Sequence, residues 1–117
     1  MHADQYYWPL DNDRTITAWI PLQTVPKNLG PIEFSAGSHQ IQEGRDLAII
    51  DSSEEMTENR LKVTDFKHII KPFYLGEVSF HSGRIFHLAG ANTTDKIRRV
   101  ITIIYMDNEM QLKKPKK

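Results

Sequence analysis

The sequence predicts an all-β domain, and three observations lead to this expectation. Short runs of β-branched and aromatic residues recur along the chain, with turn residues between them. The only helical signal lies near residues 53–60, where Ser52 and Glu55 fit a capping box and predict at most one short helix. With 117 residues, the chain has room for one β-sandwich or barrel and little else.

Each strand is predicted from its own local pattern. Residues 15–22 alternate: the even-numbered side chains are all aliphatic and share one face, whereas Trp19 lies on the other. Residues 26–31 have the composition of a turn, and a short strand follows. Apolar runs predict the remaining strands, at 31–34, 47–50, 69–75, 77–80, 84–87 and 100–105. The last run, which reads VITIIY, carries the strongest β signal.

Composition and charge place the chain among single-domain globular proteins. Hydrophobic residues make up 39% and charged residues 26%, which is ordinary for a globular domain. We see no repeat and no domain boundary, so residues 1–112 are predicted to form one core and residues 113–117 a basic tail. Four of the 15 basic residues lie in that tail, which leaves 11 basic against 15 acidic residues in the core.

The same arithmetic excludes several classes of function. A slightly acidic core argues against a nucleic-acid partner. The chain has no cysteine, which excludes disulfides, thiolate metal sites and a cysteine nucleophile. No apolar run approaches the roughly 20 residues of a membrane span, so no membrane partner is expected. The first residues, MHAD, do not resemble a signal peptide, and we therefore expect a cytoplasmic protein.

Two groups of residues could carry chemistry. The first is His2-Ala3-Asp4, because residues i and i+2 of a strand point to the same side and would bring an imidazole and a carboxylate together. The second is His87 followed by Arg98. If the segments 84–87 and 100–105 pair as a hairpin, these two side chains lie near each other at one end of the barrel.

Arg98 is predicted to point into the barrel. It shares the parity of Val100, Thr102 and Ile104, which form the expected interior face of the last strand. A buried guanidinium needs an anion, which is either a local carboxylate such as Asp95 or a bound ligand.

Taken together, the two groups suggest an iron site. Two histidines and one carboxylate form the facial triad of non-haem Fe(II) oxygenases. An arginine eleven residues after the second histidine could hold the far carboxylate of 2-oxoglutarate through a bidentate ion pair.

The chain resembles the phytanoyl-CoA dioxygenase family along most of its length. The matching segments are HADQYYWP, TAWIPL, NLGP, GSH and HLAGAN, followed by Arg98. The resemblance implies a double-stranded β-helix, or cupin-like jelly roll, which uses Fe(II), 2-oxoglutarate and O2. It also implies that His2, Asp4 and His87 are the metal ligands, that Arg98 binds the distal carboxylate of 2-oxoglutarate, and that Trp19 helps to line the cosubstrate pocket.

The chain also departs from the family pattern. Ala89 stands where the family often has serine, and Ala36 where it often has proline. The family's domain is much longer, and the whole difference lies before His2. The resemblance therefore implies a jelly roll that is incomplete at its N-terminus, with the first metal ligand at residue 2.

The function expected from these residues is hydroxylation of a C–H bond in a small organic substrate by an Fe(II)- and 2-oxoglutarate-dependent dioxygenase. Two alternatives remain open. One is a truncated, catalytically incompetent family member; the other is a small cupin-like metal-binding β-barrel that does not use 2-oxoglutarate. A homo-oligomer could complete the barrel by pairing exposed strand edges.

The remaining histidines and aromatic residues receive weaker predictions. His39 is expected in a loop over the site, and His68 and His81 as surface or partly buried polar residues. Tyr6, Tyr7 and Trp8 would line a substrate pocket or pack at its rim.

Overall fold

Antiparallel pairing arranges the chain in two three-stranded sheets in the computed structural model, which describes residues 1–40 and 66–114. The strands are β1 (Thr15–Pro21), β2 (Ile32–Ser35), β3 (His68–Ile70), β4 (Ser79–Ser82), β5 (His87–Ala89) and β6 (Val100–Met106). One sheet has the order β4-β1-β6, and the other β3-β2-β5. The described helical segments are three 3-10 turns, at Asp4–Tyr7, Lys27–Leu29 and Ser38–Gln40. The predicted all-β class is confirmed.

The two strongest sequence patterns match their strands best. β1 and β6 lie within a residue of the ranges predicted for them, and they pair with each other along seven residues. The shorter strands differ by a few residues from the ranges predicted for them. Their ends depend on which neighbouring strand they pair with rather than on their own composition. The predicted strand at 47–50 and the predicted helix near 53–60 lie outside the described residues.

The predicted hairpin between segments 84–87 and 100–105 is wrong. β5 pairs with β2, with Phe34 opposite His87, whereas β6 pairs with β1. The ten residues between β5 and β6 carry the chain from one sheet to the other, which a tight two-residue turn could not do. His87 therefore lies in the sheet β3-β2-β5, whereas Arg98 lies in the connection that leads to β6 of the other sheet.

The sheet β4-β1-β6 has the longer strands and is called the larger sheet; the other is called the smaller sheet. The strand β1 shows which face of the larger sheet points toward the smaller one. Its residues Thr17 and Trp19 are buried and line a pocket together with Thr102 and Ile104 of β6, which remain exposed. The face of β6 predicted to be interior thus lies at the pocket, but its side chains at 102 and 104 are not buried.

The opposite face of the same sheet is apolar and exposed. Its large side chains keep between 41% and 61% of their surface accessible; they are Ile16, Phe80, Ile101, Ile103 and Tyr105. An apolar patch this extensive is unusual for the outer surface of a monomer.

A short bridge joins the first and last segments of the described chain to each other. Leu10 pairs with Leu112, and the Lys113 N–H donates to the carbonyl of Pro9 at 2.7 Å. The boundary between core and tail predicted at residue 112 stays a prediction.

Within the described residues, no helix is long and apolar enough to cross a bilayer.

Candidate metal centre

His2, Asp4 and His87 meet at one point between the sheets, as the sequence predicted. One ligand atom from each side chain can be chosen so that all three lie within 4.8 Å of one another. The Nε2 atoms of His2 and His87 lie 3.4 Å and 3.5 Å from Asp4 Oδ1. This sequence pattern therefore produces a convergent set of two imidazoles and one carboxylate.

Backbone pairing holds the two histidines side by side. The N–H of His2 donates to the His87 carbonyl at 3.0 Å, and the His87 N–H donates back at 2.9 Å. The intervening Ala3 points the other way and packs with Met1 and Phe86 in a small buried cluster. The alternation predicted for residues 2–4 is thus present, although the chain enters a 3-10 turn at Asp4.

The second imidazole is held in the tautomer that a metal requires. His87 Nδ1 lies 3.1 Å from the carbonyl oxygen of Ile85. Because a carbonyl can only accept, Nδ1 carries the proton, and Nε2 of the neutral ring keeps its lone pair toward Asp4. Fixing the other ring nitrogen in this way is typical of metal-binding histidines.

The protonation states also favour metal binding. Burial lowers the pKa of His87 to about 4, against the attraction of Asp4, so the ring is neutral at neutral pH. Burial alone would raise the pKa of Asp4, but interactions with His2, His81 and His87 outweigh it and hold this pKa well below its usual value. An ionised carboxylate and a neutral imidazole can bind a cation without first losing protons.

His81 also belongs to the site, which the sequence interpretation missed. It is only 6% exposed, and its Nε2 lies 3.8 Å from Asp4 Oδ2. The ring contacts those of His87 and Phe34, with centroids 4.7 Å and 5.2 Å away. The prediction of a surface or partly buried residue is therefore wrong, because His81 lies on the inner face of β4 opposite Thr17. Residues 79–82 gave no signal for this, because alternation alone would place the apolar Phe80 rather than His81 on the inner face.

The triad lies in a pocket of about 350 Å³ between the sheets. Trp19 is 7% exposed and forms part of its wall, and its role at the cosubstrate stays a prediction. Trp8 also lines this pocket, whereas Tyr6 and Tyr7 line a neighbouring depression. A pocket of this size, mostly apolar with a few convergent polar groups, is typical of small-molecule sites.

Arg98 is anchored by backbone carbonyls. Its Nη1 donates to the carbonyl oxygens of Leu29, Gly30 and Gly90. Among the described residues no carboxylate pairs with it, so the alternative of an ion pair with Asp95 receives no support. Arg98 is also not among the described side chains that line the 350 Å³ pocket.

The NLGP segment supplies two of the backbone carbonyls that bind this arginine. Gly30 has a φ of +80°, and a Cβ there would lie 2.2 Å from the Gly90 carbonyl oxygen and 2.7 Å from Arg98 Nη1. The Asn28 carbonyl accepts from Thr93 N–H at 2.9 Å, which ties the turn to the following loop. Only glycine allows the two segments to approach this closely.

The GSH segment supports β5 rather than the metal directly. Gly37 has a φ of +85°, and the buried Ser38 Oγ accepts a hydrogen bond from the Phe86 N–H at 2.9 Å. The next residue, His39, accepts from Arg84 Nε through its carbonyl at 3.0 Å. The segment thus fixes the strand start from which His87 points inward.

A non-haem ferrous ion is the group that these residues fit. Two neutral imidazoles and one carboxylate form the facial set that holds Fe(II) and leaves positions open for other ligands. His2, Asp4 and His87 would hold the ion, which would supply O2-activating chemistry together with 2-oxoglutarate.

Comparison with known proteins also points to a non-haem iron enzyme family. A model of the family described as phytanoyl-CoA dioxygenase (PhyH) matches residues 1–100. A search of curated proteins finds no match to the chain.

Solved structures of related architecture also match. The non-heme alpha ketoglutarate dependent carbocyclase SnoK from nogalamycin biosynthesis is 29% identical, with a TM-score of 0.79; the match covers 96% of this chain and 45% of SnoK. The corresponding epimerase, SnoN, is 27% identical with a TM-score of 0.75, and the match covers 97% of this chain and 40% of SnoN. SnoN has also been solved with Fe3+, alpha ketoglutarate and nogalamycin RO; that structure is 25% identical over 97% of this chain and 43% of its own, with a TM-score of 0.75.

The chain therefore spans less than half the length of these solved structures. Over that length it shares their fold, which confirms the predicted jelly roll, and the SnoN complex contains the predicted pair of iron and 2-oxoglutarate. The match to the family model covers most of the sequence and includes His2, Asp4, His87 and Arg98. The chain belongs to the phytanoyl-CoA dioxygenase family.

Proposed function

We propose that this chain carries the catalytic centre of an Fe(II)- and 2-oxoglutarate-dependent dioxygenase that hydroxylates a C–H bond of a small organic substrate. The observation that carries the proposal is the convergence of His2, Asp4 and His87 within 4.8 Å, inside a pocket of about 350 Å³. The related SnoN and SnoK, which depend on alpha ketoglutarate, are an epimerase and a carbocyclase. We therefore propose hydroxylation as the outcome of the reaction on this chain's substrate. The cytoplasmic location of the protein also stays a prediction.

Arg98 is proposed to bind the distal carboxylate of 2-oxoglutarate. All the hydrogen bonds that it makes to described residues come from Nη1, which leaves Nε and Nη2 able to donate to an anion. The surrounding carbonyl groups orient the guanidinium without neutralising its charge. A carboxylate held at this end would fix the orientation of the whole cosubstrate.

The walls of the pocket would then exclude water and position the substrate. Trp19 is packed against Phe73, with ring centroids 4.9 Å apart, so its indole is held in one orientation. Ala89 and Ile32 add apolar surface on the side of the smaller sheet. A pocket with these walls favours an organic substrate with apolar groups near the reacting carbon.

The test is an anaerobic titration of the chain with Fe(II) and 2-oxoglutarate. The proposal predicts a weak visible charge-transfer band when both are present, followed by succinate formation when O2 is admitted. Iron binding without the band would instead support the small cupin-like metal-binding barrel, and no iron binding would support a catalytically incompetent chain. With a candidate substrate, mass spectrometry would separate the gain of one oxygen from epimerisation or ring formation.

We also propose that two copies of the chain associate through the free edge of β6. In the described residues β6 pairs only with β1, and its outer side chains Ile101, Ile103 and Tyr105 are between 41% and 52% exposed. The Arg99 carbonyl accepts from the Leu22 N–H and the Asp107 N–H donates to the Arg14 carbonyl, so the even-numbered N–H and carbonyl groups from Val100 to Met106 point toward the free edge. Such an edge is a template for another strand.

The charges at the two ends of β6 favour an antiparallel pair of identical strands. With Ile103 on the two-fold axis, Thr102 of one copy would exchange hydrogen bonds with Ile104 of the other. The same register would place Arg99 of each copy opposite Asp107 of its neighbour, and opposite charges in facing positions stabilise a pair of strands. The two larger sheets would then form one continuous sheet of six strands.

A further inference from the structure

The two carboxylate oxygens of Asp4 have different neighbours. Oδ1 faces the other triad members, His2 at 3.4 Å and His87 at 3.5 Å. Oδ2 faces His81, whose Nε2 lies 3.8 Å away. The carboxylate thus presents one oxygen to the metal centre and the other to a third histidine.

The ring of His81 is held in place for this contact. It is packed between His87 and Phe34, with centroids 4.7 Å and 5.2 Å away, and its side chain is 4% exposed. Its β4 backbone is paired with Thr17 of β1. A ring enclosed in this way has little freedom to point its Nε2 anywhere other than toward Asp4.

The proton of His81 also belongs on Nε2. Its Nδ1 is buried and has no hydrogen-bond partner among the described residues, whereas Nε2 faces a carboxylate, which can only accept. The Nε2–H tautomer therefore places a donor opposite Asp4 Oδ2. The present separation is longer than a hydrogen bond, and a small rotation of the carboxylate would close it.

We infer that His81 is a positioning residue for the metal centre: its Nε2–H donates to Asp4 Oδ2 and turns Oδ1 toward the metal. The inference rests on the proposed metal site formed by His2, Asp4 and His87. It assigns to His81 a role that neither the spacing of the triad nor the match to the family model indicates. Hydrogen bonds that orient a metal-binding carboxylate typically change metal affinity by about 10- to 100-fold.

The test compares three substitutions of the same histidine, with Co(II) as the probe. Glutamine can place an amide N–H where Nε2 lies, whereas asparagine places its amide nearer to Nδ1 and leucine has no donor. His81→Gln should therefore bind Co(II) within about threefold of the unmodified chain. His81→Asn and His81→Leu should bind it about 10- to 100-fold more weakly in calorimetric titrations. The Co(II) visible spectrum of the Gln variant should match that of the unmodified chain.

A histidine outside the site provides the control. His68 is exposed and pairs with Glu33 at 3.1 Å, and His68→Leu should leave Co(II) binding unchanged. Circular dichroism and thermal unfolding would confirm that each variant keeps its fold. If His81→Leu does not fold, the comparison of Gln with Asn still decides, because both are polar and differ mainly in where the donor lies.

The outcomes separate this inference from the proposed function. If the unmodified chain does not bind Co(II), the metal site is absent and the inference falls with it. If the chain binds Co(II) and the Asn and Leu variants bind equally well, the metal site stands and the role of His81 is overturned. Equal loss in the Gln and Asn variants would also overturn it, since the position of the donor would then not matter.

Discussion

His2 and His87 are joined through their backbones as well as through the site that their side chains form. Their N–H and carbonyl groups exchange two hydrogen bonds, of 3.0 Å and 2.9 Å, and their ring centroids lie 4.7 Å apart. The pair connects residue 2 to a strand that begins at residue 87, so the geometry of the proposed metal centre depends on a long-range bridge. Anything that displaces β5 should therefore disturb both imidazoles.

Replacing Gly30 should destabilise the protein and move Arg98. A Cβ at Gly30 would lie 2.2 Å from the Gly90 carbonyl oxygen, in addition to the strain of its φ of +80°. Gly76 is the matched control, since its φ is +97° and a Cβ there meets nothing within 4 Å. Gly76→Ala should lower the free energy of unfolding by about 1–2 kcal/mol, from backbone strain alone. Gly30→Ala should lower it by roughly 2 kcal/mol more, as measured by urea unfolding. Equal losses of stability in the two variants would contradict this interpretation of the NLGP turn.

Removing the guanidinium of Arg98 should weaken 2-oxoglutarate binding. Loss of one partner from a partly buried charge pair costs at least about 2 kcal/mol, so Arg98→Ala should raise the Kd for 2-oxoglutarate about 30-fold or more. Lys96→Ala removes an exposed positive charge two residues away and should leave this Kd unchanged. The measurement is a calorimetric titration of the Fe(II)-loaded chain under nitrogen. Similar affinities in the Arg98 variant and the unmodified chain would exclude Arg98 as the anchor.

The stability of the metal-free protein should fall in mild acid. Burial lowers the pKa of His87 from 6.5 to about 4, so between these values the unfolded chain binds a proton that the folded chain does not. Stability therefore rises with pH across this window, and the full difference is worth about 3 kcal/mol. Urea unfolding with a chelator present should show a decrease from pH 7 to pH 4.5, and His87→Gln should reduce that decrease. A stability that does not change over this range would contradict a buried neutral ring.

The proposed pairing of two β6 edges predicts that a single proline converts the dimer to a monomer. The N–H of Thr102 points away from β1, so Thr102→Pro should remove an intermolecular hydrogen bond and leave the β1–β6 ladder intact. Phe80→Lys changes the exposed apolar face and not the edge, so it should leave the dimer unchanged. Light scattering after size-exclusion chromatography measures both variants.

Three other results of that experiment would reject the edge-to-edge dimer. The first is a monomeric unmodified chain, which would leave the edge for another segment of a longer protein to cover. The second is a dimer that survives Thr102→Pro. The third is a dimer that only Phe80→Lys disrupts, since this would indicate packing between the apolar faces.

Residue patterns predicted the parts of this molecule that depend on local chemistry. The alternation in 15–22 and the β-branched run in 100–105 predicted β1 and β6, because both patterns favour strands through local residue preference. The spacing of His2 and Asp4 predicted that their side chains lie close together, which they do although Asp4 begins a 3-10 turn.

Long-range pairing could not be predicted from the same patterns. The sequence favoured pairing of β5 with β6, which follow one another, whereas each pairs with an earlier strand of a different sheet. His81 was missed for a similar reason. Its inward orientation depends on the register of β4 against β1, and that register is set by tertiary contacts rather than by residues 79–82 alone.

The central claim is that three side chains of this chain hold one metal ion, and Fe(II) affinity tests it most directly. An anaerobic calorimetric titration should give one Fe(II) ion per chain. Asp4→Ala and His87→Ala should each weaken binding more than about 100-fold, because each removes a ligand. Asp95→Ala and His68→Ala, which change exposed residues of the same types, should bind as the unmodified chain does. Unchanged Fe(II) affinity in both the Asp4 and the His87 variants would contradict the account.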